Sequence, residues 1–446
     1  MSLARVFIAN RGEIAVRIVR ACRALGLECV VGASQIDMDG MAAELADRVL
    51  CIGPSPASES YLRPELVVQA ALGTGCDAIH PGYGFLAENP RLPALAQENG
   101  IRFAGPPPEA IELAGDKVRA REAALEAGLP LVPGRQVAAL ADAEAFAAES
   151  GYPVLLKAAG GGGGRGIKLA HSAEELRSLF GVAVAEARSA FGDERLYVER
   201  FVADARHVEV QVAADDHGAV VHLGERDCSV QRRYQKLIEE APAPFLSTET
   251  RDALTAAGVA FARAIGYRNL GTVEFIVDAA SGEFFFLEMN CRIQVEHPVT
   301  EQVTGRDLVA EQLRIADGQP LSFAQEDVAF DGHAVECRLT AEDVSRGFAP
   351  SPGRLTRFAV PRIDGLRVDT HCRDGAVIPP HYDSLMAKLI GHGRDREEAI
   401  EIVHEGLERL EAEGVETNRG LLAAVLDHPD FVHGRITTHW LEEAIV

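Results

Sequence analysis

A polar side chain stands at every second position of the segment E-M-N-C-R-I-Q-V-E, which runs from Glu288 to Glu296. The run G-E-F-F-F-L before it is aromatic and opened by a turn residue, which is typical of a buried strand. Alternate side chains of an extended chain share one face. The pattern therefore predicts a strand with an apolar face and a second face carrying two carboxylates, two amides and a guanidinium.

A single charge interrupts the apolar run G-T-V-E-F-I-V-D at Glu274, and a turn-like D-A-A-S-G-E follows. An antiparallel pair of strands would bring Glu274 close to Glu288. Two buried carboxylates repel each other unless a cation lies between them. With the amide oxygen of Asn290, they predict a Mg²⁺ site shared with nucleotide phosphates. An exposed sheet face bearing ordinary surface charges is the alternative.

Six of the seven residues from 160 to 166 are glycine. Such a loop lets backbone N–H groups approach phosphate oxygens closely, and it also suits a lid over a nucleotide. No G-K-[S/T] follows, so the loop is not a Walker loop. Lys157 ends the strand before the loop, and Lys117 follows Asp116, a predicted helix N-cap. The alternatives are a floppy hairpin tip and two solvated surface lysines.

The rest of the alternating row suits a small oxyanion beside the terminal phosphate of ATP. Arg292 offers a planar fork that fits a carboxylate-like or carbonate-like anion, and Gln294 offers an amide. Glu296 is a third carboxylate beyond the presumed metal pair. It is therefore a candidate general base.

The organisation of the chain indicates two or three domains, since 446 residues with 47% hydrophobic content can form several cores. The first hundred residues alternate strand and helix, with Gly26 ending the first helix, as in a small α/β domain. The turn N-R-G-E there does not match a dinucleotide fingerprint. Residues 116 to about 150 are alanine-rich and predict helix, whereas β-patterned runs dominate from about 204.

Several functional classes are disfavoured by composition. The net charge of −23 argues against nonspecific nucleic-acid binding. No apolar run approaches the roughly 20 residues of a membrane span, and the N-terminus lacks a signal-peptide pattern. The eight cysteines form no C-x-x-C, which favours buried free thiols in a reducing cytosol over disulfides or zinc. A cytoplasmic location is therefore expected.

Seven segments, in matching order along essentially the whole chain, resemble the biotin carboxylases, which are ATP-grasp enzymes. They are K-A-A-G-G-G-G-G-R-G-I, E-R-D-C-S-V-Q-R-R-Y-Q-K, E-E-A-P-A-P, E-M-N-C-R-I-Q-V-E-H-P-V-T-E, H-P-G-Y-G-F-L-A-E-N, F-A-P-S-P-G-R-L and Y-D-S-L-M-A-K-L. The resemblance implies a mixed α/β (α+β) ATP-grasp fold in three parts. These are an N-terminal α/β domain over 1–115, an ATP-grasp domain over 116–330 with a mobile glycine-rich lid near 136–203, and a C-terminal domain over 331–446.

The resemblance also implies a reaction. ATP phosphorylates bicarbonate to carboxyphosphate, which breaks down to CO₂ and phosphate; the phosphate then takes a proton from biotin, whose ureido nitrogen attacks CO₂. Glu296 would remove the bicarbonate proton, Arg338 would stabilise the biotin enolate, and Tyr83 would line the biotin pocket. The implied metal ligands, for Mg²⁺ or Mn²⁺, are Glu274, Glu288 and Asn290. The implied bicarbonate ligands are Lys236, Arg292, Gln294 and the backbone of Val295. The implied ATP contacts are Lys117, Lys157, Gly163, Gly164, Glu199, Arg200, Phe201, Val202, His207, Gln231, Tyr234, Glu274 and Glu288.

Some of these residues have ordinary alternatives, and some positions depart from the family pattern. His207 could be a plain sheet histidine, Tyr83 a turn aromatic and Arg338 a surface-strand residue. Tyr234 stands where histidine is usual, which predicts altered nucleotide contacts. Cys291 replaces the usual threonine and is expected on the apolar side of its strand.

The chain has no M-K-M tripeptide, the usual biotin attachment site, so we expect either that biotin arrives on a separate biotin carboxyl carrier protein or that the chain is an excised domain. The other partners implied are carboxyltransferase subunits and a second copy of the chain in a homodimer. Neither nucleic acid nor membrane is expected as a partner. Two rival functions remain open: an ATP-grasp ligase joining a carboxylate to an amine, and a catalytically silent subunit of a carboxylase complex. The sequence does not indicate the final acyl acceptor.

Overall fold

The computed structural model of the protein describes residues 2–158, 168–191 and 194–444. The predicted glycine-rich phosphate loop, including Gly163 and Gly164, lies outside the described residues. Within the described part of the chain, no helix has the length and apolar character that crossing a membrane would require.

The N-terminal part forms a five-stranded parallel sheet in the order β3-β2-β1-β4-β5, which confirms the predicted α/β domain. The first helix ends where expected, because Gly26 takes a left-handed conformation with φ of 70° just beyond it. The strands are β1 Arg5–Ile8, β2 Glu28–Ala33, β3 Arg48–Cys51, β4 Ala78–His80 and β5 Arg102–Phe103. The helices are α1 Gly12–Ala24, α2 Met41–Leu45, α3 Pro64–Gly73, α4 Arg91–Glu98 and α5 Pro108–Gly115.

A four-stranded antiparallel sheet follows, in the order β6-β9-β7-β8, with α7 and α8 packed on it through an apolar core of its own. Asp116 caps α6, as predicted, by accepting the N–H groups of Val118 and Arg119. The strands are β6 Gly134–Val137, β7 Val154–Ala158, β8 Lys168–Ala170 and β9 Leu196–Arg200, and the helices are α6 Lys117–Glu126, α7 Leu140–Ser150 and α8 Ala173–Phe191.

The prediction of helix from residue 116 to about 150 is therefore wrong in its middle, where β6 separates two helices. Pro130 and Pro133 lie in this interval. Proline lacks the N–H that a helix needs and disfavours helical backbone at the preceding residue. The alanine content alone could not show this interruption.

The central elements are β10 Ala205–Ala214, β11 Val220–Arg232, β12 Gln235–Ala241, β13 Asn269–Asp278, β14 Phe284–Asn290 and β15 His333–Thr340, with helices α9 Thr248–Ala264, α10 His297–Thr304 and α11 Leu308–Ala316. The C-terminal strands are β16 Glu342–Asp343, β17 Ala349–Pro350, β18 Gly353–Arg354, β19 Arg357–Ala359, β20 Leu366–Thr370, β21 Val377–Ile378, β22 Leu385–Gly393 and β23 Glu411–Glu413. The C-terminal helices are α12 Arg396–Arg409, α13 Arg419–Asp427, α14 Pro429–Val432 and α15 Trp440–Ala444.

An eight-stranded antiparallel sheet in the order β14-β13-β10-β11-β12-β15-β22-β20 joins the central and C-terminal elements. Its register places Glu274 of β13 directly opposite Glu288 of β14, as the sequence predicted. All eight cysteines are free thiols, and all but Cys51 are buried.

The predicted strand through Glu296 is wrong beyond its first three residues, because β14 ends at Asn290. Arg292, Gln294 and Glu296 lie instead in the turn that leads into α10. Pro298 occupies the first turn of this helix, a position that suits its fixed φ. The side chains still gather in one place, but a turn brings them there rather than the alternation of a strand.

Candidate active site

One cleft of about 1970 Å³ is lined by elements of the four-stranded and the eight-stranded antiparallel sheets and by α6. Every predicted site residue that the structure describes borders it: Tyr83, Lys117, Lys157, Glu199, Arg200, Phe201, Val202, His207, Gln231, Tyr234, Lys236, Glu274, Glu288, Asn290, Arg292, Gln294, Val295, Glu296 and Arg338. The residues assigned to metal, anion and nucleotide therefore share one space.

Glu274 is the most heavily contacted of the candidate metal ligands. Its two carboxylate oxygens lie 2.9 Å from His207 Nε2 and 2.7 Å from Asn290 Nδ2. Burial alone would raise the pKa of Glu274, but Lys236 and His207 hold it well below its ordinary value. Burial and the neighbouring charge of Glu274 raise the pKa of Glu288. This pair of opposed buried carboxyls supplies oxygen donors of the kind that Mg²⁺ or Mn²⁺ prefers. The Asn290 amide beside it directs its nitrogen to Glu274 and its oxygen to Arg292.

Lys236 joins three carboxylates that come from three different elements. Its Nζ donates to Glu209 Oε2 at 2.5 Å, to Glu274 Oε1 at 3.0 Å and to Glu296 Oε1 at 2.7 Å. Burial would lower the pKa of Lys236, but the three carboxylates that it contacts raise its pKa well above the ordinary value. The side chain is therefore a fixed ammonium at the centre of the cleft.

Glu296 is fully buried between two cations. Lys236 contacts one carboxylate oxygen, and Arg338 Nη2 donates to the other at 2.9 Å. Burial would raise the pKa of Glu296, but Lys236, Arg338 and Arg226 hold it well below its ordinary value. The carboxylate is therefore ionised and able to accept a proton.

The guanidinium of Arg292 lies beside these groups. Its Nη1 donates to Gln294 Oε1 at 2.6 Å, and its Nη2 donates to Asn290 Oδ1 at 3.1 Å. Its Nε lies 3.1 Å from a carboxylate oxygen of Glu88. The Val295 carbonyl accepts a hydrogen bond of 2.8 Å from Lys388. The turn thus presents a planar cation with an amide next to it.

Arg338 and Tyr83 lie where the N-terminal part meets the large sheet. Arg338 forms ion pairs with Glu239 at 2.5 Å and with Glu296 at 2.9 Å, so it is not a free surface residue. The hydroxyl of Tyr83 donates to Glu13. Both side chains also border the cleft.

The predicted nucleotide residues lie on or beside both the four-stranded sheet and the eight-stranded sheet. Lys157 of β7 pairs with Glu199 of β9, and Phe201 lies 6.0 Å from the His439 ring. Arg200 lies over the Phe285 ring at 5.0 Å. Tyr234 is 62% exposed and has a positive φ of 67° in the turn between β11 and β12. Its aromatic ring is therefore available to a ligand.

Three buried residues of the site were missed in the sequence. Glu209 interrupts the apolar run H-V-E-V-Q-V in the way that Glu274 interrupts its own, so the same signal could have identified it. Arg226 is wholly buried and donates to Glu209, Gln211, Thr272 and Thr300. Glu239 contacts Arg338. Arg226 and Glu239 stand beside other charged residues in the sequence, as exposed residues often do. No local sequence pattern therefore predicts that they are buried in the site.

Three family models together match most of the chain. They are "Biotin carboxylase, N-terminal domain" over residues 2–111, "Carbamoyl-phosphate synthase L chain, ATP binding domain" over 116–324 and "Biotin carboxylase C-terminal domain" over 336–443. The chain is 48% identical to Biotin carboxylase 1 of Bacillus subtilis over 98% of both chains, and 48% identical to the biotin carboxylase of Pseudomonas aeruginosa over 99% of both.

Solved structures are similar over the same extent. The biotin carboxylase domain dimer of Hydrogenobacter thermophilus 2-oxoglutarate carboxylase, in complex with MgADP, ADP and bicarbonate, matches with a TM-score of 0.91 and 46% identity, over 99% of this chain and 98% of that one. The biotin carboxylase of Campylobacter jejuni in complex with β,γ-ATP matches with a TM-score of 0.93 and 41% identity, over 99% of each chain.

Proposed function

Because the chain belongs to the biotin carboxylase family, we propose roles for its cleft residues in the ATP- and bicarbonate-dependent carboxylation of biotin. The protein is an ATP-dependent ligase of the ATP-grasp class, and its reaction uses ATP, a divalent metal, bicarbonate and biotin. The observation that carries the assignment of roles is the convergence of Lys236, Arg292, Glu296 and Arg338 on one cleft.

Bicarbonate binds between Lys236 and Arg292. An ammonium and a planar guanidinium supply a point charge and a two-pronged donor for a planar anion. Gln294 and the backbone of Val295 complete the site, since both belong to the turn that carries Arg292. The contact between Arg292 and Gln294 fixes the guanidinium before the anion arrives.

Glu296 accepts the proton of bicarbonate. The resulting oxyanion attacks the terminal phosphate of ATP, and ADP leaves with the electrons of the broken P–O bond. The carboxyphosphate formed breaks down to CO₂ and phosphate. The phosphate accepts the ureido proton of biotin, and the biotin nitrogen forms its new bond to CO₂.

Glu274, Glu288 and Asn290 would hold Mg²⁺ or Mn²⁺, with the two opposed carboxylates as the main oxygen donors. A bound metal would neutralise negative charge on the nucleotide phosphates. His207 orients Glu274 through the 2.9 Å contact to its carboxylate. Asn290, which now donates to Glu274, presents its amide oxygen toward Arg292.

Arg338 stabilises the biotin enolate, and Tyr83 lines the pocket for the biotin ring. The nucleotide is bound by Lys117, Lys157, Gln231 and Tyr234, with Glu199, Arg200, Phe201 and Val202 as a hinge on the adenine side. Gly163 and Gly164 are also proposed to contact the nucleotide, and this assignment rests on the family motif alone. The parts 1–115, 116–330 with a lid near 136–203, and 331–446 are the proposed domains.

The biotin is carried on a separate carrier protein, and carboxyltransferase subunits use the product. A homodimer is proposed as well, supported by the dimer of the Hydrogenobacter relative. The free thiols support a reducing, cytoplasmic location.

A bicarbonate-dependent ATPase assay with and without free biotin tests this function. ATP hydrolysis should require bicarbonate and metal, and biotin should be carboxylated. Hydrolysis that needed an amine and ignored bicarbonate would instead indicate a carboxylate–amine ligase. Absence of any turnover in folded, nucleotide-binding protein would indicate a silent subunit.

A further inference from the structure

Two glutamates oppose each other behind Arg338. Glu239 of β12 and Glu336 of β15 are direct partners in the antiparallel register, so their side chains share one face of the sheet. Both side chains are wholly buried. Arg338 stands two residues beyond Glu336 on the same face, with Lys388 of β22 opposite it.

The two cations near this pair also contact groups outside it. Arg338 divides its charge between Glu239 and Glu296. Lys388 donates to the Val295 carbonyl and lies 3.2 Å from Glu13. Among the described residues, none of the four carboxyl oxygens of Glu239 and Glu336 has a hydrogen-bond partner. Glu239 is held by its ion pair with Arg338 Nε, and Glu336 forms no ion pair within the described part of the chain. Two ionised carboxylates here would therefore leave a buried negative charge uncompensated.

One proton held by the pair resolves this imbalance, since close buried carboxyls cannot both ionise. Burial raises the pKa of Glu239 to about 7 despite the opposing effect of Arg338. Burial also raises the pKa of Glu336 well above its ordinary value, against the effect of Lys388. The charged groups that face the pair are Arg338, Lys388, Lys236, Glu209 and Glu296.

We propose that Glu239 and Glu336 share one proton and act together as positioning residues, whose single negative charge fixes the Arg338 guanidinium for the biotin step. The inference rests on the role proposed above for Arg338. The shared proton also explains why Arg338 needs an acidic partner besides Glu296. Glu296 loses its charge when it takes the bicarbonate proton, whereas Glu239 keeps its own and holds the guanidinium in place through the second half of the reaction.

The test compares four single variants of the full chain in two assays: bicarbonate-dependent ATP hydrolysis without biotin, and carboxylation of free biotin. The variants are Glu239→Gln, Glu336→Gln, Arg338→Gln and, as a matched control, Glu240→Gln. Glu240 is the neighbour of Glu239 on β12 and is also buried. It pairs with His333 and Arg396 on the other face of the sheet.

Glu239→Gln should lower kcat for biotin carboxylation about tenfold or more, because it removes the buried ion pair with Arg338. It should lower ATP hydrolysis without biotin by much less. Glu239→Asp should restore part of the loss. Glu240→Gln should change both activities by the same factor, whatever its effect on thermal unfolding.

Glu336→Gln should change the pH profile of the biotin step. In the unaltered protein, carboxylation should decline at alkaline pH as the shared proton leaves and a second charge draws Arg338 away from Glu296. The glutamine at position 336 cannot become negatively charged. The decline in biotin carboxylation should therefore move to higher pH in this variant. A profile that superimposes on that of the unaltered protein would overturn the proposal.

The outcomes separate this inference from the function on which it rests. Arg338→Gln with a normal biotin step would overturn both the role of Arg338 and the pair. Suppose that Arg338→Gln damages the biotin step but Glu239→Gln lowers both activities equally. This result would overturn the proposed role of the Glu239–Glu336 pair and leave the role of Arg338 intact. Unaltered protein without bicarbonate-dependent ATP hydrolysis would overturn the proposed function itself.

Discussion

Lys236 and Glu296 face each other in the cleft, with the ammonium Nζ 2.7 Å from the carboxylate Oε1. The contact keeps Glu296 ionised, but a carboxylate with a strongly lowered pKa is a weak base. A bicarbonate anion that accepts hydrogen bonds from Lys236 would share this positive charge. Substrate binding would then raise the pKa of Glu296 toward the range in which it can take the proton.

Glu296→Ala should lower carboxylation about 100-fold to 10,000-fold, the range typical for loss of a general base. Nucleotide affinity should be largely retained, because the proposed base acts on bicarbonate. Steady-state rates together with calorimetric ATP binding measure both quantities. Glu397→Ala, at an exposed position of α12, is the control. A collapse of ATP affinity in Glu296→Ala would show that its role is misassigned.

Arg292→Lys should raise the KM for bicarbonate about tenfold or more, because an ammonium cannot make the two-pronged contact of a guanidinium. The KM for ATP should change little. A bicarbonate titration at saturating ATP measures the effect, and Arg409→Lys on exposed α12 surface is the matched control. An unchanged bicarbonate KM would remove Arg292 from the anion site.

Glu288→Gln should raise the metal concentration that gives half-maximal ATP hydrolysis. One of the two carboxylates opposed in the register would be lost, and a neutral amide binds Mg²⁺ more weakly. Titration with Mg²⁺ and with Mn²⁺ after chelator treatment measures the shift. If the half-saturation point stays where it is, the metal is held elsewhere.

Tyr234→His should change the KM for ATP while leaving the KM for bicarbonate as it is, since Tyr234 is exposed at the cleft and its side chain makes no hydrogen bond with Lys236 or Arg292 in the described part of the chain. Its 62% exposure predicts a change of less than about 0.5 kcal/mol in unfolding free energy. Tyr234→Phe separates the hydroxyl from the ring. Identical ATP kinetics in all three proteins would mean that Tyr234 does not contact the nucleotide.

Glu336→Gln should flatten the dependence of unfolding free energy on pH. A carboxyl whose folded pKa is raised binds more protons in the folded state, so stability falls as pH rises from the unfolded value toward the folded one. For Glu336 this window begins at the ordinary pKa of a glutamate and extends upward, because burial raises the pKa of Glu336 well above that value. Loss of this one titrating group should remove up to about 1.4 kcal/mol per pH unit within the window.

Denaturant unfolding at a series of pH values measures this slope. Glu240→Gln is again the control, because the pKa of Glu240 is lowered to about 2 and its own contribution is lost only as pH falls toward that value. Equal slopes in Glu336→Gln and in the unaltered protein would contradict the shared proton.

The pairing of Glu274 with Glu288 could be predicted from the sequence, because two apolar runs joined by a short turn fix their own register through the faces they bury. The cap at Asp116 was equally local. The end of β14 could not be predicted, because alternation of side chains continues whether or not a neighbouring strand supplies hydrogen bonds. The break between α6 and α7 was hidden in the same way by a favourable alanine composition.

The sequence by itself determined which chemical groups the protein has available. Motifs on single strands and turns also identified many of the residues that border the cleft. Only the tertiary structure decided how their charges are balanced. Lys236 meets Glu296 across 60 residues of chain, and Arg338 meets Glu239 across the sheet. The physical reason is that burial makes each charge depend on its nearest opposite charge, and strands distant in sequence supply those neighbours.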